Sequence, residues 1–395
     1  PAYAPPPPPQ RDEWNDRPGV RGIRNEPNGV DGHYKHNRKE QYADGDGGFF
    51  HAPTYALASQ AASQEFNRVA ARAGESHTPA VTPARMSIVL ITDRYLTIRR
   101  VLGQLAGQTA ADVLEIVVVM PAGALTDAER ASLDTFAAVK FVEIPSIHPM
   151  PAARAAGIRA ATSDIVFLGE THSFPHPEFA ERLLAAHEGE WDAVVPGFGN
   201  ANPDSDLSWA SFLMDYGTWS DTLPSGQVLH GPTWNNAYKR SFLAKADDRL
   251  ELAMEHLDEL ARLFVSLNGR ALFEPRARLD HANVAQFRSW IDQRYLAGLL
   301  VANARRRRWG IGKRLVYVAA SPLIPAVIMY RLRKPVMQLA ASGRLSARGI
   351  GVLMLGTVVR TFGEVSGYVK GAAPGAQLRM DEYELRKLDF TSLEM

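Results

Sequence analysis

The sequence predicts an α/β fold in which a mostly parallel β-sheet is flanked by helices. From Met86 onward, short apolar runs of strand length alternate with amphipathic segments of helix length, a pattern typical of parallel strands joined by right-handed crossovers. The chain has 395 residues, of which 46% are hydrophobic, so it can fill a sizeable core. It contains no cysteine, which excludes disulfides, thiolate metal sites and a cysteine nucleophile.

Residues 1–85 differ in composition from the rest of the chain. They begin with PAYAPPPPPQ and are then rich in Gly, Asn, Asp, Arg and His as far as Gly48. Because such a composition buries too little apolar surface to offset the entropy of ordering, we expect a disordered, proline-rich extension. The extension contains no apolar segment of the secretory type, so we expect the protein on the cytoplasmic side of the cell.

Three strands and three helices are predicted between residues 86 and 161. The strands are mainly apolar runs at 87–92, 114–120 and 139–144. The helices between them are expected at 97–108, 126–137 and 151–161.

The next apolar run, Ile165–Leu168, is followed directly by two residues that could bind a ligand. It stops at Gly169, and Glu170 and His172 follow with a spacing of two residues, which directs both side chains to the same side of an extended loop. A helix is expected to begin near Pro177, after this loop. Open α/β sheets bind ligands at the carboxyl ends of their strands, so the sequence predicts a carboxylate and an imidazole at a ligand site.

Three segments resemble the N-terminal half of family-2 glycosyltransferases with the GT-A fold, which is a Rossmann-like α/β fold. They are SIVLITDRYLTIRRVLGQLAGQT at 87–109, LEIVVV at 114–119 and ARAAGIRAATSDIVFLGETHSFPHPEF at 153–179. The resemblance implies that the turn after the first strand, Thr92, Asp93 and Arg94, contacts the nucleotide. The family's second strand usually ends in a base-binding aspartate, where this chain has Met120-Pro121. Glu115 at the strand's start is retained, and the resemblance implies that it contributes to nucleotide binding.

The metal-binding Asp-x-Asp of the resembling family falls at Gly169-Glu170-Thr171, where both aspartates are missing. One explanation is that Glu170 and His172 bind a divalent metal, Mn²⁺ more readily than Mg²⁺, as in a membrane-associated subset of the family with a Glu-x-His form. Another is that no metal binds and that Arg94 or Arg154 neutralises the diphosphate. A third is that Glu170 and His172 only cap the loop.

The resemblance also implies residues for the sugar and for the general base. Asn235 and Asn236 match the family's asparagine pattern beside the donor sugar. Glu255, Asp258 and Glu259 share one face of a helix predicted at 250–268, with Gly269 as its left-handed cap. The best match to the family's base is Asp258, followed by Glu255, although a solvated acidic face remains an alternative.

A short strand at 271–275 is predicted to lead into a loop with Asp280 and His281. The resemblance implies that His281 approaches the diphosphate or the metal.

The region from residue 293 to 363 contains no Asp or Glu but many Arg and Lys residues. Its two apolar segments, 315–330 and 350–359, are shorter than the roughly 18–20 residues of a membrane-spanning helix. We therefore expect interfacial, monotopic attachment to an anionic membrane, as in the membrane-associated relatives that residues 313–329 and 363–371 resemble. Core helices are the alternative, and long apolar flanks make nucleic acid a poor partner for the arginine run.

These observations divide the chain into a disordered extension at 1–85, a GT-A-like domain at 86–285 and a basic helical membrane-associated region with an acidic tail at 286–395. The expected activity is inverting transfer of a sugar from a nucleotide-diphosphate donor to a hydroxyl of a carbohydrate or lipid-linked acceptor, at the cytoplasmic face of the membrane. The alternative is a catalytically silent relative that binds a sugar nucleotide within a membrane assembly. Walker A, GxGxxG, GxSxG and HExxH motifs are absent, which argues against kinases, dehydrogenases and hydrolases.

Overall fold

A nine-stranded mixed sheet with strand order β3-β2-β1-β4-β8-β6-β9-β5 organises the protein, and β7 pairs with β9. The computed structural model describes residues 83–255, 257–391 and 393, and for residues 247, 248, 257 and 258 it describes the backbone without the side chains. The strands are β1 (Met86–Ile91), β2 (Leu114–Pro121), β3 (Ala138–Ile144), β4 (Ile165–Leu168), β5 (Ser173–Pro175), β6 (Ala193–Asn200), β7 (Gly226–Val228), β8 (Asn236–Lys239) and β9 (Ala271–His281).

The sheet is parallel from β3 to β4 and mixed beyond it. β1 pairs in parallel with β2 and β4, and β2 pairs in parallel with β3. β8 then runs antiparallel to both β4 and β6, whereas β6 and β9 are parallel. The predicted α/β class is confirmed. The antiparallel strand β8 was not predicted, because its four residues follow a polar stretch without strand periodicity.

Helices cover both faces of the sheet and form the C-terminal region. They are α1 (Tyr95–Ala106), α2 (Asp127–Ala131), α3 (Met150–Ala160), α4 (Phe179–His187), α5 (Asp206–Tyr216), α6 (Arg240–Leu243), α7 (Leu250–Glu255), α8 (Leu257–Ser266), α9 (Phe287–Arg306), α10 (Ile311–Ala319), α11 (Ile324–Ala341), α12 (Ala347–Val369) and α13 (Gly375–Leu385). The strands are buried on both sides: Ile88 and Leu90 pack with α1, α4 and α5, and Val89 and Ile91 pack with α3, α7 and α8.

Several predicted elements differ in the structure. The helix expected at 126–137 is only the five-residue α2, Asp127–Ala131. The helix expected at 250–268 is two helices, α7 and α8. The left-handed residue at its end is Asn268, with φ 54°, rather than Gly269. Gly269 is instead required by packing, because a Cβ there would lie 2.7 Å from the Phe264 ring. The strand expected at 271–275 is the 11-residue β9, so His281 ends a strand and does not lie in a loop.

The helices of the C-terminal region are longer than the two apolar segments that were predicted there. The short segment expected at 350–359 is part of α12, which has 23 residues and is long and apolar enough to cross a membrane. α10 and the stretch 321–341 also pass this test as one bent pair, with a 49° bend. Only length and composition support these assignments, and 39% of the apolar window of α12 is buried against the rest of the protein.

The predicted regions 86–285 and 286–395 pack against each other, because buried residues of both belong to one hydrophobic core cluster. The prediction of disorder for residues 1–85 falls almost entirely outside the described residues. The acidic tail expected after Met380 is ordered: it forms the end of α13 and a 3₁₀ helix at Lys387–Phe390. We call residues 375–391 the C-terminal segment.

Candidate functional site

Glu170, His172 and His281 meet at one edge of the sheet. Glu170 and His172 lie between β4 and β5, and His281 is the last residue of β9, which pairs with Ser173 of β5. His172 Nε2 is 3.3 Å and His281 Nε2 is 3.5 Å from the same oxygen, Glu170 Oε2. The side chains of all three are at least nine-tenths buried. The structure therefore brings together the three residues that the sequence analysis named as metal ligands.

The spacing of this triad fits a divalent metal ion. Two ligands that each lie about 2.1 Å from one ion are about 3.0 Å apart at an octahedral angle and about 3.4 Å apart at a tetrahedral angle. The three ligand atoms lie within 4.8 Å of one another. Among the described residues, neither ring nitrogen of buried His172 has a hydrogen-bond partner, which leaves its lone pair for another ligand.

Three neighbouring side chains hold the carboxylate of Glu170. Asn235 Nδ2 donates to Glu170 Oε2 at 2.6 Å, and the Tyr216 hydroxyl donates to the same oxygen at 3.0 Å. Ser173 Oγ lies 3.4 Å from that oxygen and accepts a hydrogen bond from Asn235 at 2.8 Å. Asn235 adopts φ 53°, and its backbone N–H donates to Leu168 O at the end of β4. The asparagine expected beside the sugar therefore positions Glu170.

A chain of amides orients His281. Asn283 Nδ2 donates to Asn200 Oδ1 at 2.9 Å and to His281 O at 2.8 Å, so Asn283 Oδ1 must be the atom that faces the imidazole. His281 Nδ1 donates to that oxygen at 2.9 Å. The lone pair of His281 therefore lies on Nε2, which faces Glu170. Metal-binding histidines are commonly oriented in this way.

The charges of the triad also suit a cation. Burial alone would raise the pKa of Glu170, but the neighbouring His172 and the charge of Lys387 hold that pKa well below its ordinary value. Burial, with the nearby charge of Lys387, lowers the pKa of His172 to about 4. Burial, with the charge of Glu170, raises the pKa of Tyr216 well above its usual value. At neutral pH the site thus contains a carboxylate, a neutral imidazole and a phenol that donates a hydrogen bond.

The C-terminal segment supplies two charged residues to the site that were not predicted. Lys387 is 3% exposed, and its Nζ lies 2.8 Å from Glu384 Oε2 and 3.5 Å from His281 Nε2. Glu384 Oε2 in turn is 3.8 Å from His172 Nε2. Their only sequence signal was an alternation of acidic and basic residues near residue 385, which is as typical of a solvated helix.

The predicted nucleotide-contacting turn lies at the carboxyl end of β1, next to the C-terminal segment. Thr92 is buried and its hydroxyl donates to Arg94 O at 2.6 Å, which shapes the turn. Asp93 accepts from Arg386 at 3.1 Å, and Arg94 pairs with Asp389 at 3.6 Å. Arg154, on α3, stacks on Trp234 with its guanidinium 3.4 Å from the ring centroid. The C-terminal segment contacts both this turn, through Arg386 and Asp389, and the end of β9, through Lys387. We call the part of the carboxyl edge between the turn and the triad the groove.

Glu115 does not belong to this groove. It lies near the start of β2, and in a parallel sheet the start of a strand is at the edge opposite the carboxyl ends. It is fully buried there and accepts hydrogen bonds from Ser87, from the backbone and side chain of Thr162, and from Lys140 at 2.9 Å. We therefore assign Glu115 a structural role in joining strands, and not the nucleotide contact that the resemblance implies.

For the remaining predicted residues, Asn236, Glu255 and Asp258, the described contacts do not include the triad. Asn236 is buried and donates to Pro232 O at 3.2 Å, while its Oδ1 has no partner among the described residues. Glu255 pairs with Arg307 at 2.9 Å. The side chain of Asp258 lies outside the described residues, although its helix, α8, packs in the same cluster as Trp234 and Leu385.

Comparison with known proteins gives one family. Residues 87–246 match the model of Glycosyl transferase family 2. This region contains Glu170, His172 and Asn235. No sequence among the curated proteins matches the chain.

Solved structures give weaker likenesses. A mannosyltransferase, PcManGT from Pyrobaculum calidifontis in complex with GDP-Man and Mn²⁺, is 17% identical with a TM-score of 0.42, covering 84% of this chain and 97% of its own. S. aureus TarS 1-349 in complex with UDP is 14% identical with a TM-score of 0.40, covering 73% of this chain and 93% of its own.

Proposed function

We propose that the protein is an inverting glycosyltransferase that uses a nucleotide-diphosphate sugar. The observation that supports this most directly is the Glu170–His172–His281 triad at the carboxyl edge of a sheet whose region 87–246 matches Glycosyl transferase family 2. Arg94, which lies after β1 and pairs with Asp389, and Arg154, which stacks on Trp234, are cations suited to a diphosphate. A metal ion bound at the triad and these two arginines would stabilise the negative charge of a leaving nucleoside diphosphate.

In the proposed reaction the acceptor hydroxyl attacks the anomeric carbon of the donor sugar. A new bond forms between the acceptor oxygen and that carbon while the bond from the carbon to the β-phosphate oxygen breaks. The electron pair leaves with the nucleoside diphosphate. The acceptor's proton passes to a carboxylate, for which we propose Asp258, as general base. Glu255 is the weaker candidate because it is already paired with Arg307.

Glu170, His172 and His281 would hold a divalent metal ion, and two imidazoles with one carboxylate favour Mn²⁺ over Mg²⁺. When bound, such an ion neutralises charge that develops on the leaving diphosphate. The chain's own residues prepare the site: Asn235 and Tyr216 orient Glu170, and Asn283 orients His281.

We further propose that the enzyme acts at the cytoplasmic face of a membrane on a carbohydrate or lipid-linked acceptor. Helix α10 has no buried residue, and its exposed side chains include Ile311, Leu315 and Val316. Basic residues such as Lys313 and Arg333 are interspersed with this apolar surface, and residues 293–363 contain no acidic residue. This combination suits adsorption to anionic lipid.

The metal site is tested by calorimetric titration of the full chain with UDP and GDP, each with Mn²⁺ and with EDTA. We expect one of the two nucleotides to bind with Mn²⁺, and Glu170→Gln and His281→Ala to weaken Mn²⁺ binding at least about tenfold, since even outer-shell changes cost 10–100-fold. The matched control is His176→Ala, because His176 pairs with Asp280 away from the triad. Unchanged Mn²⁺ affinity in both triad variants would refute the site.

The base is tested by Asp258→Asn, which keeps the side chain's shape but removes the proton acceptor. We expect turnover to fall by about 10²–10⁴-fold while nucleotide affinity stays the same. Glu255→Gln is the control and should have a small effect. Full activity of Asp258→Asn would show that another group accepts the proton.

A further inference from the structure

The C-terminal segment, residues 375–391, lies across the groove in which we place the donor. Its contacts reach both sides of that groove: Arg386 and Asp389 touch the turn after β1, and Lys387 touches the end of β9. Asp381, Leu385 and Lys387 are buried there.

Lys387 contacts His281 Nε2, the nitrogen through which His281 would bind a metal ion. Because Asn283 accepts the Nδ1 proton of His281, the Nε2 lone pair of His281 is free to bind one partner. In the structure that partner is the Lys387 ammonium, at 3.5 Å. One lone pair cannot accept a hydrogen bond from Lys387 and coordinate a metal at the same time. Lys387 in this position and a metal bound to His281 therefore exclude each other.

Acidic residues of the same segment contact basic side chains. Asp389 Oδ2 lies 3.6 Å from Arg94, and Asp381 Oδ2 lies 3.4 Å from His148 Nδ1. Arg94 and Arg154 are the cations that we propose for the donor diphosphate. The segment thus supplies an ammonium to the His281 nitrogen that a metal would use, and a carboxylate to Arg94, which a diphosphate would use.

We propose that residues 375–391 form an internal strap that occupies the donor groove, and that binding of the divalent ion and the nucleoside diphosphate displaces it. This inference rests on the proposed function, because it names a regulation of the same site. Displacement exchanges the Lys387–His281 and Asp389–Arg94 contacts for metal and phosphate contacts. The apparent affinity for metal is then reduced by the fraction of molecules in which the strap is closed.

The test compares wild type with Lys387→Met, which keeps an apolar side chain of similar length and removes the ammonium. Mn²⁺ binding is measured by calorimetry on the full chain. We expect Lys387→Met to bind Mn²⁺ about tenfold more tightly if the wild-type strap is open about a tenth of the time. Arg379→Met is the matched control: Arg379 is a cation of the same segment, on α13, but it pairs with Asp292 on α9, and its loss should leave Mn²⁺ affinity unchanged.

Hydrogen exchange of the wild-type chain supplies a second readout that needs no variant. We expect saturating Mn²⁺ with UDP or GDP to increase amide exchange in residues 375–391 and not in β1 or β4. Weaker or equal Mn²⁺ binding by Lys387→Met, or a strap that stays protected with ligands bound, overturns the strap while the metal site stands. Failure of every form to bind Mn²⁺ and nucleotide overturns the proposed function and the strap with it.

Discussion

Glu170 is held by residues from distant parts of the chain, and its environment explains why the site is organised around one carboxylate oxygen. Asn235 adopts a left-handed backbone conformation, which asparagine tolerates better than most residues, and this conformation lets its amide reach Glu170 Oε2. Tyr216, from the end of α5, adds a second donor to the same oxygen. Both donors favour the ionised carboxylate, which is the form that binds a metal.

A pH-dependent stability is expected from a residue outside the site. His187 ends α4 and is 6% exposed, and burial with the charge of Lys239 lowers its pKa to about 4. Because the folded protein favours the neutral imidazole, its contribution is present above pH 6.5 and is lost as the pH falls towards 4. The contribution is on the order of 3 kcal/mol, from about 1.4 kcal/mol per pKa unit.

Urea unfolding of wild type and His187→Leu between pH 7 and pH 4 measures this contribution. We expect the free energy of unfolding of the variant to fall less steeply over this range. Parallel curves for the two proteins would show that His187 is not responsible.

At the scale of elements, α9 and α12 pack with their backbones in contact. A Cβ at Gly363 would lie 2.1 Å from Tyr295 O, and a Cβ at Gly298 would lie 2.0 Å from Arg360 O. Glycine is needed here for close approach, since φ is not positive at either position. This packing fixes α9, and α9 in turn holds Asp215 of α5 through a bidentate pair with Arg294.

Gly363→Ala tests this packing, and Gly351→Ala on the same helix is its control. The methyl group at 363 meets backbone atoms that cannot rotate away, so we expect a loss of about 1–3 kcal/mol in the free energy of unfolding. At Gly351 no atom lies within 4 Å, so alanine should be neutral or stabilise by up to about 1 kcal/mol. Chemical denaturation of both variants gives the comparison. Equal free energies of unfolding for the two variants would show that α9 and α12 can move apart to accommodate the methyl group at position 363 without loss of stability.

At the scale of the whole molecule, the helical region presents an unusual surface. Helix α12 buries small and polar residues such as Gly356 and Thr361 against the protein and exposes Leu355 and Phe362. Its apolar face is therefore outside. Together with α10 and the surrounding arginines, this face is our proposed membrane surface.

Vesicle flotation tests the membrane surface. We expect the protein to float with phosphatidylserine-containing vesicles and not with pure phosphatidylcholine, and binding to weaken as added salt shortens the Debye length from about 10 Å at 0.1 M. Leu315→Glu, on exposed α10, should reduce flotation, whereas Leu252→Glu, exposed on α7, should not. Binding that ignores lipid charge, salt and Leu315→Glu would contradict interfacial attachment.

The sequence by itself determined the parallel half of the sheet and the composition of the triad. Strands such as β1, β2 and β4 are buried on both faces, so their apolar runs are visible without tertiary information. Glu170 and His172 were identifiable because they directly follow one of these strands. His281, 109 positions beyond His172, was linked to them only by the family resemblance.

Only the tertiary structure decided which polar residues meet at the site. Tyr216, Asn283 and Lys387 come from elements far apart in sequence, and nothing in their local patterns marks them, since a side chain's partners depend on long-range packing. The same holds for Glu115, whose position in the sequence suggested a nucleotide contact until strand direction placed it at the opposite edge. The tail after Met380 was predicted only as acidic; in the structure its residues pack against the turn after β1 and the end of β9, because their charges find partners there.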